Sequence, residues 1–230
     1  MSLIKGKGIH TTGSSFGSEG ADVYARATRD GALFTADWFL AQALAGNVFA
    51  VNNGLLTTPI SFNAGAAADG EPDLLINVPA GTTIIPAYIG IQYEDSGTAL
   101  VLDTFAVASA SYDNAVTATA LTSSIMNMRT DEPKNSNCSA YGVVTGGGAT
   151  LETGNYIEFW RPFAGFGEDA FNGSTGWVNP AINGCYWSAR EAVVPPIVKG
   201  QGALAIFAGG QAQKGFMTVV WVELPTASLL

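Results

Sequence analysis

The sequence predicts an all-β protein, an antiparallel two-sheet β-sandwich of the jelly-roll type with one short helix. Three observations lead to this prediction. Roughly ten short apolar runs follow one another, separated by turn signals such as Asn-Gly, Gly-Glu-Pro and Ser-Gly-Thr. Only one run has helical character, which excludes the parallel α/β folds. The sequence has no repeat of fixed period, which argues against propellers and solenoids, so a sandwich of jelly-roll type fits best.

Residues 1–20 are predicted to form a flexible N-terminal arm, and residues 21–230 a single jelly-roll-like domain. The arm, MSLIKGKGIHTTGSSFGSEG, is rich in Gly, Ser and Thr and has neither a strand period nor a helix period. Two interpretations stay open: a disordered tail, or a segment that becomes ordered on a neighbouring subunit. The length of 230 residues suits one all-β domain.

The first predicted element of the domain is a helix within residues 35–47, TADWFLAQALAGN. Thr35 is a suitable N-cap, Asp37 suits the first turn, and Gly46 suits a left-handed stop. Apolar side chains lie around much of its circumference. We therefore expect this helix to be buried against one edge or end of a sheet.

The predicted strands follow in order. Six runs come first, at residues 48–52, 55–62, 73–79, 83–95, 99–111 and 115–121. Four more complete the chain, at residues 154–162, 191–200, 202–209 and 214–225. The last run is apolar on both faces, which predicts a central strand covered on both sides.

Pro86 lies inside the predicted strand at residues 83–95. Proline cannot donate a ladder hydrogen bond, so it predicts an edge or a bulge where pairing stops. From this strand we expect Ile84, Tyr88 and Ile91 to pack into the core of the sandwich.

The composition excludes several partners. The net charge is -9 and the basic residues are scattered, whereas nucleic-acid binding needs clustered Lys and Arg. The start has no apolar core of a signal peptide, and no run approaches the roughly 18 apolar residues of a membrane span. We therefore expect neither nucleic acid nor membrane as a partner.

The two cysteines, Cys138 and Cys185, are predicted to be reduced thiols in a cytoplasm, with a single disulfide as the alternative.

The residues with catalytic potential do not form a recognisable site. The single histidine, His10, lies in the predicted arm, whereas triads and histidine metal sites need a rigidly held imidazole. The alternating carboxylates between Asp69 and Asp73 lack the length of a calcium loop and predict an ordinary turn. Four carboxylate pairs are candidates for a glycosidase, and we expect them to be solvated turn residues: Glu94 with Asp95, Asp131 with Glu132, Glu152 with Glu158, and Glu168 with Asp169. The sequence thus predicts no enzyme activity, no cofactor and no metal.

Residues 156–187 hold nine aromatic residues, and after Arg161 they show no strand period. A long excursion with so many rings either packs on itself, meets a protein partner or binds a glycan, because aromatic rings and Arg are typical interface anchors. These three readings stay open. The candidate contact residues of this segment are Trp160, Arg161, Phe163, Phe166, Phe171 and Trp177.

The run RATRDGALFTADWFLAQALAGNVFAVNNG at residues 26–54, the turn-rich strands after it and the final VVWVELP strand resemble virion proteins of tailed bacteriophages. The likeness is to the jelly-roll cement or decoration proteins on the outside of icosahedral capsids, and it is one of layout over most of the chain. It implies a protein made in the host bacterial cytoplasm, without a cofactor, that clamps major capsid subunits and forms a dimer or trimer. No site residue carries over, because this family has no motif.

A cement protein would use the arm as an additional anchor on a neighbouring subunit. The candidate contact residues of the arm are Ile4, Lys5, Lys7, Ile9 and Phe16. Repetition over a shell converts modest affinities into strong avidity. Three alternative functions are a glycan- or receptor-binding jelly-roll module of a phage spike or tail, a jelly-roll capsid protein itself, and a carboxylate glycosidase.

Overall fold

In the described part of the chain two large antiparallel sheets form a sandwich, accompanied by one α-helix and a separate two-stranded sheet near the N-terminus, which confirms the predicted two-sheet β-sandwich. The computed structural model describes residues 5–7, 22–24, 37–63, 70–95, 101–111, 118–131, 133–145, 155–162, 164–165, 184–209 and 213–229. In this part of the chain no helix has the length and hydropathy that a membrane crossing requires.

The strands range in length from two to 14 residues. In chain order they are β1 (Lys5–Lys7), β2 (Asp22–Tyr24), α1 (Trp38–Leu44), β3 (Val48–Asn53), β4 (Ile60–Ser61), β5 (Leu74–Val78), β6 (Thr82–Asp95), β7 (Val101–Ser109), β8 (Thr119–Ala120), β9 (Met126–Asn127), β10 (Ser139–Gly142), β11 (Tyr156–Trp160), β12 (Ala164–Gly165), β13 (Gly184–Ser188), β14 (Val198–Lys199), β15 (Gly202–Gly209) and β16 (Lys214–Pro225). Two single-turn 3₁₀ segments, Thr122–Ser124 and Thr226–Leu229, complete the set.

The strand order is that of a jelly roll. Four long strands of the first sheet lie in the order β11-β7-β15-β5, and four of the second sheet in the order β13-β6-β16-β3. Successive long strands mostly alternate between the two sheets, as in the double-sheet jelly-roll architecture. Short strands extend both sheets: β10 and β8 lie beyond β5, and β9 lies beyond β3.

The main core fills the space between the two sheets. Its fully buried side chains include Phe49 and Trp221 from the second sheet, and Leu74, Ile76 and Leu204 from the first. Each such side chain contributes about 1.5–3 kcal/mol by leaving water. The predicted central position of the last run is confirmed, because β16 pairs with β6 on one side and with β3 on the other.

A bulge in β6 changes which side chains face the core. The pairing of β6 with β16 shifts register after Pro86, so that Ala87 is an extra residue. Before the bulge Ile84 faces the core, and after it the inward residues are Ile89, Ile91 and Tyr93.

The bulge at Pro86 and the burial of Ile84 and Ile91 are therefore confirmed. The prediction that Tyr88 packs into the core was wrong. Its side chain is 39% exposed on the outer face, because the extra residue inverts the alternation of the strand.

Helix α1 differs from the prediction in two ways. Asp37, not Thr35, is the N-cap, since its carboxylate accepts hydrogen bonds from the backbone N–H groups of Phe39 and Leu40. The expected burial was wrong, because no residue of α1 is fully buried. Only Phe39 and Ala43 pack against the outer face of the second sheet. The predicted left-handed stop is confirmed by a φ of 72° at Gly46.

Several short strands depart from the sequence prediction. Of the predicted runs at residues 55–62, 115–121 and 191–200, the parts that the structure describes each contain only a two-residue strand. Strands β10 and β13 were not predicted, since SAYG and GCYWS lack an alternating apolar pattern. Strand β1 lies within the predicted arm and pairs with β2, while the flexibility of the arm stays a prediction.

Candidate binding surface

The structure describes only part of the predicted contact residues. Lys5 and Lys7 lie at the two ends of β1, opposite Tyr24 and Asp22 of β2. Trp160 and Arg161 lie at the end of β11. The remaining predicted contact residues lie outside the described residues: Ile4, Ile9, Phe16, Phe163, Phe166, Phe171 and Trp177.

Trp160 and Arg161 both make contacts within the domain. A register shift between Glu158 and Trp160 brings Phe159 and Trp160 together against the main core. The Arg161 guanidinium lies 4.3 Å from the ring centre of Phe105 on the outer face of the first sheet. Contact of these two residues with a partner stays a prediction.

Arg161 also forms two ion pairs at the surface. Its Nε lies 2.6 Å from Glu158 and its Nη1 lies 3.3 Å from Asp103. The hydrogen bond from Arg161 lowers the pKa of Glu158 below its usual range. Because these groups are largely exposed, each pair adds little to stability, about 0–1 kcal/mol. Their role is to hold the guanidinium over Phe105.

An open groove lies on the outer face of the second sheet, where β13, β6 and β16 run side by side. It has a volume of about 450 Å³, and its described lining consists of Tyr88, Gly90, Ile91, Gln92, Gly184, Cys185, Tyr186, Phe216 and Thr218. This volume falls in the usual range of small-ligand sites, about 300–1,000 Å³. Helix α1 covers the other part of the same sheet face, over Val48, Ile85 and Val222.

Two tyrosines form the aromatic part of the groove. The ring of Tyr88 lies along the sheet over Gly90, since a Cβ atom at Gly90 would lie 2.5 Å from the Tyr88 hydroxyl oxygen. Tyr186 on β13 is the register partner of Gly90, and its ring stacks with Tyr88 at 6.2 Å between centroids and 17° between planes. Only a glycine at position 90 leaves room for this arrangement.

Polar groups lie around the two rings. Gln92 is an exposed side chain on the same face. Thr218 donates a hydrogen bond of 2.8 Å to the side-chain oxygen of Asn52, and the Tyr186 hydroxyl donates one of 3.2 Å to Glu191. Burial raises the pKa of Cys185 to about 12, so this thiol is protonated at neutral pH.

Both cysteines are free thiols, which excludes the alternative of a disulfide between them. Cys138 is buried beside Glu223, and burial raises the pKa of its thiol well above the usual range. Glu223 itself accepts hydrogen bonds from the Ser136 hydroxyl and the Asn137 backbone N–H. This buried group has a structural role, because it ties residues 136–138 to β16.

A second exposed feature, the apolar edge, consists of Leu40, Leu44, Met126 and Met128. The four side chains are 50%, 60%, 66% and 52% exposed, respectively. Their backbones are held together: Asn127 donates from its side chain to the Gly46 carbonyl oxygen, and the β9 strand pairs with β3. The apolar edge thus joins α1 to the last strand of the second sheet.

Asp73 is a buried carboxylate that sequence reasoning did not single out as buried. One of its oxygens accepts a 2.7 Å hydrogen bond from the Asn63 backbone N–H, and the other accepts a 2.7 Å hydrogen bond from that of Ala208. Burial raises its pKa to about 6. Its two backbone partners give it a structural role at the start of β5.

The candidate glycosidase carboxylates that the structure describes lie at the surface. Glu94, Asp131 and Glu158 are exposed, and the last two pair with arginines. Among the described residues no group of three or more His, Cys, Asp or Glu side chains could hold a metal ion.

A comparison of the chain with protein-family models, curated proteins and solved structures gives no match.

Proposed function

We propose that this protein is a non-enzymatic virion structural protein, which binds the outside of an icosahedral phage capsid and cements neighbouring major capsid subunits. The observation that carries this proposal is the apolar edge, where four large apolar side chains are at least half exposed on one side of the sandwich. Contiguous exposed apolar surface of this kind marks interaction sites in soluble proteins.

The position of the apolar edge suits contact with a large partner. Strand β9 has only two residues and pairs with only Phe49 and Ala50 of β3, so it is a short terminal strand of the sheet. Short edge strands limit uncontrolled edge-to-edge pairing. Side-chain packing on Leu40, Leu44, Met126 and Met128 is then the means of attachment. Leu40 and Leu44 lie one turn apart on α1 and present a single face.

The overall fold and charge agree with this role. Double-sheet jelly rolls occur in viral capsid and lectin domains, although a shared fold is only an analogy for function. The net charge of -9 favours a partner surface with basic residues and speeds association with it. As in the cement proteins that the sequence resembles, self-association into a dimer or trimer is part of the proposal.

The proposal is tested with capsids assembled without this protein. The wild-type protein is mixed with these capsids, and the mixture is sedimented. The bound fraction of the protein and the melting temperature of the capsid are then measured. We expect saturable binding and a higher capsid melting temperature, because each bound copy buries surface across a joint between subunits.

A matched pair of variants locates the contact. In the double variant Leu40→Glu/Leu44→Glu, two charges enter the apolar edge, and we expect at least about tenfold weaker binding, equivalent to ~1.4 kcal/mol. The control is Leu56→Glu, because Leu56 is fully exposed in the turn after β3 and lies away from α1. Absence of binding by the wild type, or equal binding by both variants, would contradict the proposal.

A further inference from the structure

We propose that the groove on the outer face of the second sheet is a binding site for an uncharged saccharide. The inference is independent of capsid binding, because the groove and the apolar edge are formed by different residues. The groove residues come from β6, β13 and β16, whereas those of the apolar edge come from α1 and the β9 region.

The tyrosine pair supplies the surface for a sugar ring. The Tyr88 ring lies over Gly90 and nearly parallel to the Tyr186 ring, and these two residues, 39% and 55% exposed, make up the aromatic platform of the groove. The face of an aromatic ring carries partial negative charge and attracts the weakly positive C–H groups of a sugar. Such C–H groups lie together on one face of a hexose, which can pack on the exposed face of a tyrosine ring.

The polar groups beside the platform suit hydroxyl ligands. A sugar hydroxyl both donates and accepts hydrogen bonds, and so does the Gln92 amide, while the Thr218 hydroxyl, whose proton is donated to Asn52, can accept one. Gly184 lacks a side chain, which lets a ligand approach the backbone of β13 closely. Asn52, bonded to Thr218, extends this polar row toward β3.

The charge of the groove favours a neutral ligand. None of the nine described lining residues is Asp, Glu, Lys or Arg, and the Glu191 carboxylate that accepts the hydrogen bond from Tyr186 would repel an anionic ligand. The chain as a whole carries a net charge of -9, which repels sulfated or carboxylated glycans. An open groove of about 450 Å³ accepts a short stretch of a longer sugar chain rather than enclosing a single molecule.

The test uses the full chain on a printed array of neutral and acidic oligosaccharides, followed by calorimetric titration with the best neutral ligand. We expect binding to neutral glycans and about tenfold or greater weakening in Tyr186→Ala, while Tyr186→Phe keeps most of the affinity because the ring remains. The matched control is Tyr156→Ala, since Tyr156 is 42% exposed on the first sheet and should leave the affinity unchanged.

A second variant tests the geometry of the platform without removing a ring. In Gly90→Ala the new Cβ occupies the position over which Tyr88 lies, so the ring must move off the sheet, and the affinity should fall as in Tyr186→Ala. Circular dichroism and the melting temperature establish that each variant is folded.

Three results would overturn the inference. They are a blank array, binding restricted to acidic glycans, and neutral binding that Tyr186→Ala and Gly90→Ala leave unchanged. Failure here is distinguishable from failure of the proposed function. Tyr186→Ala should still bind capsids, and Leu40→Glu/Leu44→Glu should still bind the saccharide.

Discussion

Replacement of Asp73 by Asn tests the account of the buried carboxylate. Both oxygens of Asp73 accept backbone hydrogen bonds, from Asn63 and from Ala208. Burial raises the pKa of Asp73 from its ordinary value of 3.8 to about 6 in the folded protein. The folded state therefore binds the carboxyl proton of Asp73 more tightly than the unfolded chain does.

The sign and size of the pH effect follow from this difference. A carboxyl group whose pKa is raised on folding stabilises the protein below pH 3.8, and this contribution is lost as the pH rises through about 6. Each pKa unit corresponds to about 1.4 kcal/mol, so the full contribution is ~3 kcal/mol, of which the wild type should lose about 2 kcal/mol of unfolding free energy between pH 4 and pH 7.

The Asp73→Asn variant has no such titration, but it introduces a mismatched group. The NH₂ of the new amide must face a backbone N–H donor in place of one carboxylate oxygen, which costs about 1–3 kcal/mol. We therefore expect the variant to be less stable than the wild type near pH 4, and the difference to shrink by about 2 kcal/mol near pH 7. The two chains should then have similar stability at neutral pH.

The assay is urea unfolding of both chains at several pH values between 4 and 7, followed by tryptophan fluorescence. The control is Asp131→Asn. Hydrogen bonding from Arg129 lowers the pKa of Asp131, so the stability contribution of Asp131 is lost as the pH falls. This pH dependence is opposite in direction to that of Asp73. Parallel pH dependences of the wild type and Asp73→Asn would refute the reasoning.

Two further predictions concern the second sheet. Trp221→Phe should cost about 1–3 kcal/mol of unfolding free energy, mostly from lost packing against Phe49, because in the described part of the chain the indole N–H has no hydrogen-bond partner. Urea titration measures this, and a loss above ~5 kcal/mol would show a missing polar contact. Gly215→Ala should lower the melting temperature far more than Gly81→Ala. A Cβ at Gly215 would overlap the carbonyl oxygen of Gln92, whereas nothing lies within 4 Å at Gly81, where the positive φ alone costs about 1–2 kcal/mol. Equal melting temperatures would contradict the close packing of β6 against β16.

The sequence was sufficient for the class of fold and for the longest strands. Runs with β-branched residues and clear turns, such as those of β6, β15 and β16, were predicted within one or two residues. Strand β13, with the sequence GCYWS, was not predicted because its partner β6 supplies the order that its own pattern lacks. The alternation of apolar and polar residues within a short stretch of sequence does not encode long-range strand pairing of this kind.

The candidate site depended on register, which the sequence pattern did not supply. Tyr88 and Tyr186 are far apart in the chain and meet only because β13 pairs with β6 opposite Gly90. The bulge after Pro86 turns Tyr88 outward, and an alternation read without that bulge places it in the core. The proline signalled the irregularity, but not which residue would be the extra one.

The helix shows a different limit of sequence reasoning. Its apolar residues predict burial within the domain, yet Leu40 and Leu44 lie at the surface. A helix that is apolar around much of its circumference needs cover, and a single chain does not reveal whether that cover is its own core or another protein. The proposed capsid contact assigns this cover to a partner.

Electron cryomicroscopy of capsids mixed with the purified protein tests the central claim most directly. The account predicts density on the outside of the shell at the joints between major capsid subunits, with α1 and β9 of each copy facing the capsid. Capsids that stay bare at saturating protein concentration, or copies attached through another face with the apolar edge in solvent, would contradict it.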